Sequence, residues 1–187
     1  MRIAIVHTGE PRGATGRMTR DLAGGLVERG HQVALIGRGR SRAGIDGVAV
    51  LRAWQAPKVR GLDWYEPGLD AAPGVLWHLL RGSYDIVHAF DPAHAWAAMR
   101  AAPLGAPPAV LSLHEVPDRR YLVGRRYRLD MLRSSIAGCA AFTVPSEAAA
   151  TLVRRYLMAD PTVVPPDRAL PAFEEVYAGA VSAAGAR

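Results

Sequence analysis

Short runs of apolar residues alternate along this chain with longer stretches in which apolar residues recur every three or four positions. The first run, residues 3–6, precedes Met18, Leu22 and Leu26, which share one face of a helix. A second apolar run follows at residues 32–36. A strand, a helix and a strand this close together predict a βαβ unit, in which the strands are parallel and the crossover is right-handed.

The same alternation continues to residue 164. About seven strands joined by helical crossovers indicate the α/β fold class, as a single Rossmann-like doubly wound parallel sheet with helices on both faces. Residues 53–72 break the pattern, and their tryptophans and prolines predict an irregular surface loop. The further strands are predicted at residues 48–51, 85–89, 109–113, 141–144 and 162–164, and the further helices at residues 73–80, 93–101, 127–137 and 147–156.

The end of the chain carries a separate helical pattern. From Leu170 onward, apolar residues recur at Phe173, Val176, Tyr177 and Ala180, which is typical of an amphipathic helix. Such a helix needs an apolar surface to pack on, and the sheet provides one. We therefore expect one domain over residues 1–164, a short linker over 165–169, and a helix over 170–187 that packs back on the domain.

Length and composition narrow the class of protein. The chain has 187 residues, which suits one domain, and no apolar run approaches the roughly 18 to 20 residues of a membrane-spanning helix. The first residues lack the apolar region of a signal peptide, so we expect a cytoplasmic protein. Cys139 is the only cysteine, and no His or Cys cluster has zinc-ligand spacing, so neither a disulfide nor a metal site is predicted.

The charge is strongly positive and almost entirely due to arginine. The net charge is +6, and of the 23 basic residues only Lys58 is lysine. A guanidinium group binds phosphate through two hydrogen bonds, so this surplus suits a phosphate or an anionic lipid. A coding bias towards arginine explains it equally well.

Polar side chains occur at the ends of four of the predicted strands. In a doubly wound sheet, ligands bind beyond the carboxyl ends of the strands, so these residues are candidates for a cleft. Each also has a structural alternative: His88 could be packed in the core, and the Asp91 and Ser146 side chains could cap the helices that follow them. The candidates are residues 7–16 after the first strand, His88 and Asp91 at the end of the fourth, His114 and Glu115 after the fifth, and Ser146 and Glu147 after the sixth.

Among these candidates, His114 has the side chain best suited to proton transfer near neutral pH. It should emerge with Glu115 at the rim of the sheet, where an imidazole can donate to a sugar hydroxyl or carry a proton near neutral pH. The alternative is a histidine that is hydrogen-bonded to a neighbouring loop. No Ser-His-Asp arrangement can be assigned from the sequence.

The loop after the first strand is rich in glycine and opens a helix. Backbone amides near Gly13 and Gly16 could therefore face a phosphate group, although simple turn formation also accounts for the glycines. The spacing differs from G-x-G-x-x-G, and no acidic residue follows the second strand, which weakens an NAD site. Arg38 leaves open a site for the 2′-phosphate of NADP, and hence an oxidoreductase-type domain.

Residues 118–133 combine arginines with apolar residues. This composition suits an anionic membrane surface, which would make the protein peripheral to the inner membrane face, or a phosphorylated acceptor. A solvated basic helix face is the alternative. No nucleic-acid-binding motif is present, so nucleic acid is not expected as a partner. The arginines that define this basic surface are Arg119, Arg120, Arg125, Arg126 and Arg128.

Several segments, taken in order, resemble one known family. They are MRIAIVHTGEPRGATGRMTRDLAGGLVERGHQVALI, YDIVHAFDPAHAWAA, LSLHE and AAFTVPSEAAATLVRRY. This set resembles the N-terminal, acceptor-side domain of the retaining GT-B glycosyltransferases of family 4, which include phosphatidylinositol mannosyltransferase. The resemblance covers roughly residues 1–164.

The resemblance implies roles for a few residues. In that family the N-terminal domain binds the acceptor and the C-terminal domain binds the nucleotide sugar; Gly13 and Gly16 would then lie near the donor diphosphate, and His114 near the transferred sugar as the catalytic residue. Two departures stand out. Phe90 replaces the second histidine of the fourth-strand motif, and residues 165–167 replace the usual interdomain turn. The donor domain is missing after that turn, and LPAFEEVYAGAV resembles the terminal helix of the full enzymes.

The expected function follows from that comparison. The chain should act as the acceptor-side domain of a glycosyltransferase, transferring sugar from a nucleotide sugar only with a separate donor-binding chain, and without a further cofactor. A homo-oligomer is an alternative assembly. The alternative functions are a degenerate, non-catalytic binding module and the NADP-binding domain described above. Catalysis by the isolated chain is not expected.

Overall fold

The computed structural model of the chain describes residues 1–7, 13–37, 45–56 and 68–186. Within those ranges, the side chains at 13–15, 121, 123 and 126 are not described. The predicted glycine-rich loop before residue 13, Arg38 and most of the predicted loop at 53–72 therefore lie outside the described residues.

Seven parallel strands form one sheet. Their order across the sheet is β3-β2-β1-β4-β5-β6-β7, and each of the six neighbouring pairs is parallel. This confirms the predicted doubly wound parallel sheet. The strands are β1 (Arg2–His7), β2 (Gln32–Gly37), β3 (Val48–Arg52), β4 (Ile86–Ala89), β5 (Ala109–Ser112), β6 (Ala141–Val144) and β7 (Thr162–Val163).

In the described part of the chain, helices connect every pair of successive strands except β2 and β3, and a further helix follows the last strand. Only α4 was not predicted, because five residues are too few to show a helical period. The helices are α1 (Gly13–Glu28), α2 (Ala72–Arg81), α3 (Pro92–Ala101), α4 (Arg119–Val123), α5 (Arg126–Gly138), α6 (Glu147–Leu157) and α7 (Ala169–Gly185), with 3₁₀ turns at Ala102–Leu104 and Pro166–Arg168.

Helices cover both faces of the sheet, which explains why the central strands read as continuous apolar runs. On β1, the side chains of Ile3 and Ile5 pack in one cluster with α1 and α7, whereas those of Ala4 and Val6 pack with α2 and α3. A third cluster joins β5 and β6 to α5 and α6. Residues 3–6 of β1 and residues 86–89 of β4, the two central strands, are therefore buried.

The helix α7 packs on the same face as α1. Its residues Phe173, Tyr177 and Ala180 are buried in the cluster that contains Ile3 and Ile5. Glu174 accepts hydrogen bonds from Arg29 at 2.6 Å and from the His31 ring at 2.9 Å. The amphipathic pattern at the end of the chain thus corresponds to a helix whose apolar face completes the core.

The order in which the chain adds strands to the sheet reverses at the centre of the sheet. From β1 the chain proceeds outward to β2 and β3, and from β4 it proceeds outward on the other side to β7. In such a sheet, the carboxyl ends of the two central strands diverge into different loops and leave a crevice between them. The residues at this edge, including His7 and Phe90, are the first to inspect for a site.

Some features of the described residues bear on the class of protein. No described helix has both the length and the apolar character needed to cross a membrane. Among the described residues, no group of three His, Cys, Asp or Glu side chains is arranged to hold a metal ion. Cys139 is half-buried between two core clusters, and burial raises the pKa of its thiol to about 12.

Candidate functional site

His114 lies at the carboxyl edge of the sheet, two residues after β5 ends at Ser112. Its ring stacks on the ring of Phe90, which follows β4, with centroids 4.9 Å apart and planes at 16°. Phe90 in turn contacts the ring of His88, at a centroid distance of 4.2 Å. The aromatic ring of Phe90, which follows the neighbouring strand, therefore holds the imidazole of His114 in place.

The His114 ring has a nitrogen atom that forms no hydrogen bond with a described residue. Burial lowers its pKa below the usual 6.5, with the charge of Glu115 acting weakly in the opposite direction. The ring is therefore neutral at physiological pH, with one N–H donor and one lone pair. Its Nε2 atom is buried and has no hydrogen-bond partner in the described structure. A buried polar atom without a partner is costly, and a ligand that pairs with it is favoured.

Two large cavities meet at His114 and Glu115. One has a volume of about 600 Å³ and lies between α1, the end of β6 and the start of α7. The other has a volume of about 480 Å³ and lies between Phe90 and the loop that precedes α4. A small cavity of about 10 Å³, lined by Ser112, His114 and Thr143, lies beside them. We refer to the two large cavities together as the His114 cleft.

The larger cavity brings together residues that are far apart in sequence. Helix α1 contributes Arg17 and Asp21, the 3₁₀ turn before α7 contributes Asp167, and α7 itself contributes Leu170 and Pro171. Sequence reasoning missed all five as site residues. Arg17 and Asp21 had one available signal, since they are four residues apart on the polar side of a predicted helix; Asp167 had none.

Gly13 and Gly16 lie in the first turn of α1, which follows β1 at the crevice. Gly16 is buried, and the next two residues, Arg17 and Met18, line the larger cavity. The N-terminal amides of α1 are thus near the cleft, as an anion-binding role would require. Their role in binding a diphosphate stays a prediction.

His88 lies in the core and not at the rim. Its ring is 0% exposed and bridges the Tyr177 hydroxyl and the Ser112 hydroxyl, both at 2.6 Å. Ser112 Oγ is in turn 2.5 Å from Thr143 Oγ1, which extends the hydrogen-bonded chain to β6. Burial, together with the nearby His114, lowers the pKa of His88 to about 3. The structure thus favours the packed alternative, because α7 covers the face of β4 on which His88 lies.

Asp91 acts as a helix cap. Its Oδ1 accepts a hydrogen bond from the His94 backbone N–H at 2.9 Å, and its Oδ2 accepts one from the His94 ring at 2.5 Å. His94 is fully buried, and its Nε2 has no partner among the described residues. His7, at the end of β1, has a pKa lowered by burial and by the charge of His94, while Asp91 opposes the shift. These three residues adjoin the central crevice, and the sequence pattern indicated His7 and Asp91 but not His94.

Ser146 and Glu147 are engaged at the start of α6. The Ser146 hydroxyl accepts a hydrogen bond from the Ala149 backbone N–H at 3.2 Å, so it caps the helix. Glu147 accepts a hydrogen bond from Arg154 at 2.5 Å. Their neighbour Pro145 lines the larger cavity. Both side chains are exposed beside the cleft, and both accept hydrogen bonds from residues of α6.

The basic surface occupies α4, the start of α5 and the residues around them. Arg119, Arg120 and Arg125 are exposed, and Arg128 is half-buried. The side chain of Arg126 lies outside the described residues. None of the four arginines with described side chains lines either large cavity of the His114 cleft.

In doubly wound sheets of this kind, ligands bind in the crevice at the switch point. Residues 15–166 match the profile of Glycosyltransferase Family 4. The chain belongs to that family. No curated protein sequence matches the chain significantly.

Solved structures with the same fold include two glycosyltransferases. Sucrose-phosphate synthase from Thermosynechococcus elongatus superposes with a TM-score of 0.67 at 15% identity, over 88% of this chain and 47% of that chain. HepE from Anabaena, in complex with UDP-glucose, superposes with a TM-score of 0.65 at 14% identity, over 89% of this chain and 44% of that one. The chain thus spans about half the length of these proteins. At such identities the similarity shows a common fold.

A shorter form of sucrose-phosphate synthase matches over nearly its whole length. It is described by the segments 27–220 and 406–426, and it superposes with a TM-score of 0.68 at 14% identity. The match covers 95% of this chain and 98% of that form. The correspondence parallels the arrangement here, in which a helix at the end of the chain packs on the sheet.

Proposed function

We propose that this chain binds a hydroxylated acceptor in the His114 cleft and contributes to the transfer of a sugar from a nucleotide sugar. The observation that carries the proposal is that His114, with a buried and unpartnered Nε2, lies where the two large cavities meet. Membership of Glycosyltransferase Family 4 supplies the reaction class.

The arrangement suits an acceptor because of what His114 can do. A neutral imidazole can accept a hydrogen bond from an acceptor hydroxyl or donate one to a sugar oxygen, and it can carry a proton during transfer. Stacking on Phe90 restricts the ring to a narrow range of orientations. A ring of fixed orientation holds the reacting hydroxyl in position. Such positioning supplies a substantial part of enzymatic rate enhancement.

The donor is proposed to be held by a separate chain or domain. HepE, which has the same fold over 44% of its length, binds UDP-glucose. The His114 cleft opens at the carboxyl edge of the sheet, where a second domain could close over it and exclude water. Gly13 and Gly16, at the amino end of α1, are proposed to face the diphosphate of that donor.

A transfer assay tests this proposal. The full chain is mixed with radiolabelled nucleotide sugars and a library of hydroxylated acceptors, with and without a candidate donor-binding chain. Transfer is expected only with both chains. His114→Ala should reduce the transfer rate by about 10²–10⁴-fold, the usual contribution of a positioned acid or base.

The control is His78→Gln. The Nε2 atom of His78 donates a hydrogen bond to the Arg52 carbonyl oxygen at 3.0 Å, beside the edge strand β3 and away from the cleft. The His78→Gln variant should transfer sugar at the same rate as the parent chain. Turnover by the isolated chain would contradict the need for a separate donor-binding chain, whereas acceptor binding without transfer in the mixture would indicate a degenerate, non-catalytic module.

Peripheral association with an anionic membrane is a second part of the proposal. Arg119, Arg120 and Arg125 are exposed together on one part of the surface, and none lines the cleft. Exposed guanidinium groups are attracted to the negative surface potential of anionic lipids. Such binding would leave the cleft accessible to an acceptor.

A further inference from the structure

The charges that line the His114 cleft have the opposite sign to the protein as a whole. The chain has 23 basic and 17 acidic residues. Among the described lining residues, however, Arg17 is the one basic side chain, whereas four are acidic. The acidic residues of the cleft are Asp21, Glu115, Asp118 and Asp167.

These carboxylates come from separate parts of the fold. Asp21 is on α1, Glu115 and Asp118 follow β5, and Asp167 is in the turn before α7. Helix amphipathicity or a single charged loop therefore does not account for their convergence. In the described structure, Asp21, Glu115 and Asp167 take part in no ion pair, so their charges are available to a ligand.

The shape of the cleft favours a small molecule over a protein partner. Its cavities of about 600 and 480 Å³ are in the range of small-molecule sites, about 300–1,000 Å³. Leu170 and Pro171 on one side, and Phe90 and Leu113 on the other, supply apolar walls against which a sugar ring can pack. A few polar groups on apolar walls are the usual composition of such a site.

We propose that the acceptor of this cleft is a polyhydroxylated compound with a protonated amino group, such as an amino sugar or an aminocyclitol, and that phosphorylated acceptors are excluded. The inference rests on the proposed function and specifies its substrate class. Carboxylates accept hydrogen bonds from an ammonium group and from hydroxyls alike, with charge-assisted bonds the stronger. A phosphate would face the same carboxylates, and among the described lining residues Arg17 is the one arginine or lysine that offsets the repulsion.

The expected preference is moderate because the carboxylates are exposed to solvent. A unit charge about 6 Å away in water changes affinity by roughly threefold, so three available carboxylates, offset in part by Arg17, should favour the cation by about tenfold over the neutral compound. The same carboxylates should disfavour an anion. Added salt should weaken both effects, since screening acts over about 10 Å at 0.1 M.

Three sugars of one scaffold test the proposal. Glucosamine, glucose and glucose 6-phosphate carry positive, zero and negative charge, and their binding to the full ¹⁵N-labelled chain can be followed by NMR titration. We expect glucosamine to bind about tenfold more tightly than glucose, and glucose 6-phosphate to bind more weakly than either. Resonances of residues around His114 should shift.

Charge-neutral variants assign the preference to the cleft. The combined change Asp21→Asn and Asp167→Asn should reduce the preference for glucosamine over glucose by roughly tenfold, at about threefold for each charge. Arg17→Gln should increase the preference. The matched control is Glu175→Gln, which neutralises an exposed carboxylate of α7 that does not line the cleft and should leave the preference unchanged.

The outcomes separate this inference from the proposed function. Equal binding of the three sugars, tighter binding of glucose 6-phosphate, or a preference that persists in the double variant would overturn the inferred substrate class and leave an acceptor site in place. Absence of binding by all three would overturn both.

Discussion

His88 is buried in the core and hydrogen-bonded there, although its position near a strand end suggested a ligand-binding residue. It follows the rule for a strand-end ligand residue, yet it lies two residues before the rim, under α7. Both ring nitrogens have hydroxyl partners, Tyr177 and Ser112. Since a neutral imidazole has one donor and one acceptor, the two hydroxyls satisfy it fully, and protonation would leave a buried charge.

The buried His88 predicts a dependence of stability on pH. Its pKa is about 3 in the folded protein and 6.5 in the unfolded chain, so below pH 6.5 the unfolded state binds a proton that the folded state does not. The free energy of unfolding should therefore fall with pH between 6.5 and about 3, by up to about 1.4 kcal/mol per pH unit from this residue.

Denaturant titrations at several pH values check this dependence. His88→Gln cannot titrate, so this variant should be less stable at pH 7 but should lose less stability on acidification than the parent chain. His7 and His114 also have lowered pKa values and remain in both proteins, so their contribution cancels in the comparison. Identical pH slopes for the two proteins would contradict the buried, neutral His88.

His114 could be predicted from sequence, but its environment could not. Its place after an apolar run put it at the carboxyl edge of the sheet. The stacking on Phe90, the unpartnered Nε2 and the junction of two cavities depend on side chains of other strands and helices. His94, which is buried against Asp91, was missed because a single histidine in an alanine-rich helix carries no pattern.

At the scale of elements, α7 is integral to the core. Phe173 and Tyr177 fill the face of the sheet beside α1, and Phe173 contacts the His88 ring at a centroid distance of 4.7 Å. The Tyr177 hydroxyl anchors the helix to β4 through His88. Without this helix, the buried apolar side chains of β1 and β4 on that face would be open to water.

The anchor can be tested by removing one oxygen atom. Tyr177→Phe keeps the aromatic packing but leaves a buried ring nitrogen of His88 without a partner, which should reduce the free energy of unfolding by about 1–3 kcal/mol. Chemical denaturation followed by circular dichroism measures the change. Tyr156→Phe is the matched control, because that tyrosine is 58% exposed, and it should change stability very little. Equal effects of the two changes would argue against the buried hydrogen bond.

Helix starts were predicted well where a local signal exists. Asp91 and Ser146 were weighed as helix caps, and both accept hydrogen bonds from backbone N–H groups three residues later. Capping involves neighbours in sequence, so the residue type and position suffice to predict it. Helix α4 was missed because five residues show no period.

At the scale of the whole molecule, charge is segregated. The net charge is +6, yet the charged side chains among the described lining residues of the His114 cleft are mostly acidic, while arginines are exposed around α4 and the start of α5. A positive outer surface and a negative cleft suit two different partners. Sequence analysis detected the first and missed the second.

Liposome sedimentation tests the proposed membrane contact. The full chain should bind vesicles that contain phosphatidylglycerol and not vesicles of neutral lipid alone. The triple change Arg119→Gln, Arg120→Gln and Arg125→Gln should weaken binding by roughly a hundredfold, at about 1 kcal/mol for each arginine near the surface.

A second triple variant controls for net charge. Arg81→Gln, Arg100→Gln and Arg168→Gln remove the same charge from exposed positions elsewhere, and this protein should retain most of its binding. Equal losses in the two variants would show that overall charge, and not the surface around α4, determines association.

The sequence by itself determined the class of fold, the order of strands and helices and the amphipathic helix at the end of the chain. These are local properties, because the spacing of apolar residues records which faces of each element are buried. The tertiary structure alone decided which residues share the His114 cleft and which lie in the core. The pairing of His88 with Tyr177, 89 residues away, and the convergence of Asp21, Glu115 and Asp167 depend on how distant elements pack, and no local pattern encodes that packing.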